Sequence, residues 1–195
     1  YVYPVSQDLL KRHYEVIVEH MPDFPLVLYS IPGFSTPISY DVVEELSLQK
    51  NIVALKDSSG STVDLINYLD MTRRAGADFN VLTGREETLL ASLVVGAKGC
   101  MTASAGIIPE VMAGIYDFFK QGELKRALEL QHSILPLTRE MSKLPFPVGF
   151  KLGLEVRGIS VGPPIQPLSL GQKQAYDSAR HKIGQLLRDV LSNIA

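Results

Sequence analysis

One order recurs along this chain and limits the folds open to it: a short apolar run, a polar turn, then a stretch with helical period. The apolar runs at 26–29, 52–56, 79–83 and 99–102 start 26, 27 and 20 residues apart. They are largely apolar along their length, as strands covered on both faces are. Between them, 6–21, 39–48, 62–75, 86–95 and 109–121 carry helical spacing, with Ser6, Ser39 and Thr62 suited to N-caps. Pro109 suits a first helical position and Gly122 the residue just past a helix end. Strand and helix in alternation read as parallel βα units, and this spacing fits a (β/α) barrel.

After Gly122 the alternation stops. Leu124, Ala127, Leu128, Ile134 and Leu135 form an apolar stripe that Pro136 should kink or end. Two further helices are expected at 148–157 and 170–193, the second with Ala179, Ile183, Leu186, Val190 and Leu191 on one face. Four strands do not close an eight-stranded barrel, which takes ~250 residues. The expected architecture is therefore α/β, a partial (β/α)8 TIM barrel with roughly strands 5 to 8 over residues 1–121, and a C-terminal helical extension packed on it over 122–195. An open barrel leaves strand edges facing water, so the rest is expected from elsewhere or from a longer chain. Tyr1 in place of methionine predicts a natural amino terminus upstream.

Composition narrows the function. Nineteen basic residues stand against 21 acidic ones with no basic run, which disfavours nucleic acid as a partner. No apolar run reaches the ~18 residues of a membrane helix. Cys100 is the single cysteine, so no intrachain disulfide can form; in Gly99-Cys100-Met101 it reads as a small core residue in a reducing compartment. A cytoplasmic protein is expected, with mitochondria left open. His13, His20, His132 and His181 are dispersed over helical segments without paired ligand spacing, so neither a metal nor another cofactor is expected.

Two strand ends carry the chemistry, Tyr29-Ser30-Ile31-Pro32 and Ala54-Leu55-Lys56-Asp57-Ser58-Ser59-Gly60. In βα barrels the reactive groups sit at the carboxyl ends of strands. Lys56 follows Ile52-Val53-Ala54-Leu55, where a charged amine is costly. Burial lowers an amine's pKa, and a drop of ~3 units from ~10.4 disfavours the charge by ~4 kcal/mol and yields a nucleophile for a ketone. The iminium so formed accepts electrons from a cleaving carbon–carbon bond without a metal, and Tyr29 is placed to relay protons. Against this, strand-end tyrosines often pack, and strand-end lysines often reach solvent.

The strings Tyr29-Ser30-Ile31-Pro32, then Ser35 and Ile38, and Val53-Ala54-Leu55-Lys56-Asp57-Ser58 resemble the second signature of the dihydrodipicolinate synthase/N-acetylneuraminate lyase family. Thr83-Gly84, Gly96-Ala97-Lys98-Gly99 and the helical tail extend the likeness over nearly the whole chain. The resemblance implies a lyase, a Schiff-base class I aldolase that reversibly splits a hydroxylated 2-oxo acid into pyruvate and an aldehyde. It implies Lys56 as the imine-forming residue and Tyr29 as the proton relay. Ser58 and Met101 would line the pocket. Gly84, Glu86 and Glu87 align with a loop that touches the distal polyol in sialic acid lyases; solvated first-turn carboxylates are an equal explanation for the two glutamates. A homotetramer built from dimers is implied as well.

Three departures shape the expectation. Phe34 stands two residues after the Tyr-x-x-Pro motif, where synthases acting on aspartate semialdehyde carry arginine, so a carboxylate-binding cation is missing there. The Gly-x-x-Gly-Glu motif and the Thr/Ser loop of the early strands are not in the sequence. The family's second tyrosine falls at Val2 in an ungapped alignment, between Tyr1 and Tyr3. Alternatives are dihydrodipicolinate synthase itself, a phosphate-binding barrel enzyme using Thr102-Ala103-Ser104-Ala105-Gly106, and a non-catalytic fragment that associates with intact subunits.

Overall fold

The computed structural model describes residues 5–165 and 167–194, so Tyr1, Val2 and Tyr3 lie outside the described residues. Contacts divide the chain into two compact units, Tyr1–Met101 and Thr102–Ala195.

The first unit is α/β. Helix α1 (Gln7–His20) begins at Ser6, whose hydroxyl accepts the Leu9 N–H. Strand β1 (Leu26–Ser30), helix α2 (Tyr40–Ser47), strand β2 (Ile52–Asp57), helix α3 (Thr62–Arg74) and strand β3 (Asn80–Thr83) follow. A 3-10 turn (Glu86–Thr88), helix α4 (Leu89–Val94) and strand β4 (Gly99–Cys100) complete the unit. The strands form one parallel sheet in the order β1-β2-β3-β4, the arrangement that consecutive βα units produce.

Sequence expectation and structure differ at element ends. Helix α3 is capped by Ser61, which accepts the Asp64 N–H, and Thr62 is the first helical residue instead of the cap. Ser39 precedes α2 without a side-chain cap bond. The last strand spans only Gly99–Cys100, with Met101 and Thr102 beyond it, because β3 ends at Thr83, the partner of Cys100. Cys100 is half-buried.

Side chains alternate across the sheet. Leu28, Leu55 and Val81 point to the helices and are at most 1% exposed. There they join Ile38, Val42, Val43, Leu46, Leu65 and Tyr68 in one core. Val27 and Tyr29 face the other way and are 39% and 42% exposed.

The second unit is helical: a 3-10 turn (Ser104–Gly106), then α5 (Pro109–Lys120), α6 (Leu124–Ser133), α7 (Leu135–Met141), α8 (Val148–Val156) and α9 (Leu170–Ser192). Pro109 opens α5, and Gly122 at φ +80° follows its end. The stripe read through Pro136 is broken before that residue; α6 closes at Ser133 and α7 begins at Leu135, with proline in the first turn where its missing N–H costs nothing. Helix α8 meets α7 closely through Gly149, where a Cβ would lie 1.8 Å from the Met141 carbonyl oxygen. A capping box, Ser169 with Gln172, starts α9. Among the described residues no helix is long and apolar enough to cross a membrane.

Candidate active site

The parallel register sets Tyr29 beside Lys56 and Lys56 beside Leu82, all on the less covered face of the sheet. Period-2 alternation does this: both residues occupy the same phase of adjacent strands. The Lys56 amine lies over the Tyr29 ring, 4.1 Å from its centroid, a cation–π contact. Lys56 is half-buried. The Tyr29 backbone N–H donates weakly to the Tyr14 hydroxyl at 3.5 Å. The amine therefore meets the ring face of Tyr29.

On its other side the lysine stem meets Gly84. A Cβ built on Gly84 would fall 1.9 Å from the Ser58 hydroxyl oxygen and 3.1 Å from Lys56 Cε, so no side chain fits there. Two ladder-type bonds hold this arrangement: Gly84 N–H donates to the Asp57 carbonyl at 2.6 Å, and Ser58 N–H donates to the Ser30 carbonyl at 2.9 Å. Lys56, Tyr29, Ser58 and Gly84 are thus brought together at the carboxyl ends of β1, β2 and β3.

Glu86 is 5% exposed, and burial pushes its carboxyl above the ordinary range, partly offset by a hydrogen bond from its own backbone N–H and then by the positive charges of Arg85 and Lys56. It differs in this from Glu87, which is more exposed and lies 3.8 Å from Arg85. The first-turn explanation for a solvated carboxylate holds for Glu87 and fails for Glu86. Met101 continues from β4, its N–H donating to the Thr83 carbonyl at 2.9 Å, and its side chain is 46% exposed.

Residues that the motif contained without a role are also built into this region. Asp57 is 3% exposed and accepts two hydrogen bonds, from the Ser59 N–H at 3.0 Å and the Ser59 hydroxyl at 2.9 Å. Burial pushes its carboxyl up, against the pull of those two bonds. Tyr68 behind it donates to the Ile38 carbonyl at 2.6 Å, and burial pushes its phenol up to about 12. Arg85 lies over Gly60, its Nε 3.5 Å from where a Cβ would be. An acidic residue closing a strand before two serines is the turn-forming signal that points to Asp57. Among the described residues no three His, Cys, Asp or Glu side chains cluster as a metal site would.

Known structures share this fold. Dihydrodipicolinate synthase DapA-2 from Bacillus anthracis matches with a TM-score of 0.80 at 31% identity, over 93% of this chain and 62% of that one. YagE from E. coli K12, a protein of the dihydrodipicolinic acid synthase family solved in complex with pyruvate, matches with a TM-score of 0.83 over 97% of this chain and 63% of that one; at 24% identity it speaks for the fold alone. The chain has the α/β architecture of these TIM-barrel proteins, with a parallel sheet and helices.

The family model described as the dihydrodipicolinate synthetase family matches residues 1–186, and the chain belongs to that family. Among its relatives, a 4-hydroxy-tetrahydrodipicolinate synthase from Oceanobacillus iheyensis is 34% identical over 84% of this chain and 54% of its own length. An uncharacterized DapA-like lyase from Thermofilum pendens is 32% identical over 97% of this chain and 63% of its own. The chain therefore spans between half and two-thirds of the length of these relatives.

Proposed function

We propose that this chain is the carboxyl-terminal part of a lyase, a class I aldolase that reversibly cleaves a hydroxylated 2-oxo acid to pyruvate and an aldehyde. Lys56 Nζ attacks the keto carbon, and loss of water from the carbinolamine leaves an iminium. The bond between C3 and C4 then breaks toward it; the C4 hydroxyl gives up its proton as the aldehyde forms, and the electron pair rests in an enamine. Protonation at C3 and attack by water release pyruvate and the free amine. Tyr29 carries the protons, and Ser58, Gly84, Glu86 and Met101 line the substrate pocket. The steps need no metal or other cofactor.

The observation that supports this most is the Lys56 amine lying 4.1 Å from the Tyr29 ring centroid, with its stem against a glycine that admits no side chain. Family membership supports it too. Phe34, 63% exposed, stands where a synthase acting on aspartate semialdehyde would carry arginine, which favours the aldolase over that synthase.

In the same proposal β1 to β4 are roughly strands 5 to 8 of a (β/α)8 barrel within 1–121, and 122–195 is a helical extension on it. The remaining strands would cover the exposed Val27 and Tyr29, and the assembled protein is a cytoplasmic homotetramer.

Steady-state kinetics of the full-length protein test the assignment. Lys56→Ala should abolish cleavage of 2-oxo acids, while Tyr29→Phe should leave KM near the wild-type value and lower kcat. Retained turnover in Lys56→Ala would reject the lysine mechanism.

A further inference from the structure

Asp57 poses a physical question that the aldolase mechanism does not answer. A carboxylate 3% exposed costs several kcal/mol unless a cation or a metal compensates it. Among the described residues no cation pairs with it, and the small void beside it, about 10 Å³, is lined by hydroxyl-bearing and apolar side chains with no basic group. The ionisable groups felt around it are Asp64, Tyr40 and Tyr68, none of them positive. Among the described residues its compensation comes from Ser59, through one N–H and one O–H.

Those two bonds begin a directed chain. The Ser59 hydroxyl donates to Asp57 and accepts the Ser61 N–H at 3.1 Å; the Ser61 hydroxyl accepts the Asp64 N–H at 3.1 Å, starting α3. The Asp64 carboxylate in turn accepts the Tyr40 hydroxyl at 2.5 Å. The N–H groups of Ser59, Ser61 and Asp64 and the Ser59 hydroxyl each donate back along the chain toward Asp57. An asparagine at 57 keeps an oxygen for the Ser59 N–H but turns an amide N–H toward the Ser59 hydroxyl, whose proton then loses its acceptor.

Ser58 lies between the two partners of this clamp. Its backbone is fixed on one side by the Ser30 carbonyl and on the other by the Asp57–Ser59 bonds, and its hydroxyl fills the space beside Gly84 and the Lys56 stem. We infer that Asp57 is a positioning residue: from the helix-facing side of the sheet, its carboxylate locks Ser59 and thereby holds Ser58 against Lys56 on the opposite face. This inference rests on the lysine mechanism proposed above.

The test measures imine formation between full-length protein and pyruvate, trapped by borohydride at timed intervals, together with the thermal midpoint. Wild type, Asp57→Asn, Ser59→Ala, Ser59→Thr and the Asp57→Asn/Ser59→Ala double variant are compared. Asp57→Asn and Ser59→Ala should each slow trapping about tenfold, the scale of a small misplacement in a site. The double variant should be no slower than the slower single, since the two act as one unit. Ser59→Thr, which keeps both donors, should restore the wild-type rate. Asp57→Asn should melt no lower than wild type at neutral pH, because a buried charge with no cation partner among the described residues has gone; a purely structural residue would lower melting and rate together.

Unchanged single-variant rates, slowing that multiplies in the double variant, or an Asp57→Asn protein that is unstable or unfolded would each overturn the inference. If wild type forms no adduct on Lys56, the lysine mechanism falls and this inference with it. An adduct on Lys56 with independent effects at 57 and 59 removes the inference alone.

Discussion

The two faces of one four-stranded sheet obey different rules. The face toward the helices is sealed: Leu28, Leu55 and Val81 are at most 1% exposed, and the polar row above them, Ser30, Asp57 and Thr83, is nearly as dry. The opposite face holds Val27, Tyr29, Lys56 and Leu82, and its covering is incomplete. One residue of phase separates the two sets, because side chains alternate along a strand. The sealed face carries the folding energy of this unit, and the open face carries groups that packing alone does not justify. The junction lies at the strand ends, where Lys56 on one face and Asp57 on the other are consecutive.

Substitutions on the two faces, and one pH series, put this contrast to the test in order of decreasing effect. Lys56→Ala should lower turnover by ~10³-fold or more in a steady-state assay, while its melting temperature stays close to wild type. A similar loss of stability would make Lys56 a structural residue. Leu55→Ala, one position away on the sealed face, should cost about 2–5 kcal/mol by denaturant unfolding, whereas Val27→Ala on the open face should stay within about 0.5 kcal/mol. Equal costs would erase the distinction between the faces. Gly84→Ala forces the Ser58 hydroxyl and the Lys56 stem aside, and overpacking of this kind costs about 1–3 kcal/mol, expected mainly in kcat.

The smallest effect is in pH. Asp57 and Glu86 both have carboxyls raised by burial, so the folded protein holds these protons more tightly than the unfolded chain. Their contribution to stability is then fully present at low pH and is lost as pH rises from the ordinary values of 3.8 and 4.5 through the raised folded ones. Asp64, Tyr40 and Tyr68 surround Asp57, and the Asp64 charge works in the same direction. Melting temperatures of Asp57→Asn and Glu86→Gln, followed against wild type upward from pH 4, should gain on the wild type as pH rises. Variants that lose ground to wild type as pH rises would mean these carboxylates are held in their charged form. Glu19, Asp70 and Glu110 act oppositely: arginine partners lower the first two, a backbone N–H and then Arg157 lower Glu110, and their small surface contributions fade as pH falls.

Much of the architecture was legible in spacing. The apolar runs and the helical stretches correspond to elements, with 86–95 divided between a 3-10 turn and α4, and the proposed catalytic pair stood at two strand ends. Element ends were less legible, since Ser61 and Thr62 are both acceptable caps and only the backbone geometry chooses between them. Leu124 through Leu135 reads as one stripe because periodicity records faces and is blind to a break that Pro136 tolerates in a first turn. Within the site, Lys56 drew notice by the cost of its charge and Tyr29 by its position, but packing and reach to solvent account for both until the family resemblance is added. Asp57 did not, because its significance lies in being dry and without a cation, which depends on what α3 and β3 bring around it. The slot at Gly84 was equally hidden; a glycine in sequence does not say which atoms lie where its side chain would be.

The central claim is that one amine, on Lys56, carries the chemistry. Full-length protein incubated with pyruvate, reduced with borohydride, digested and analysed by mass spectrometry tests this most directly. The account predicts a single reduced pyruvyl adduct, on the peptide containing Lys56, absent when substrate or borohydride is omitted. An adduct on another lysine such as Lys98, or no adduct under conditions where the protein turns over a 2-oxo acid, would contradict it.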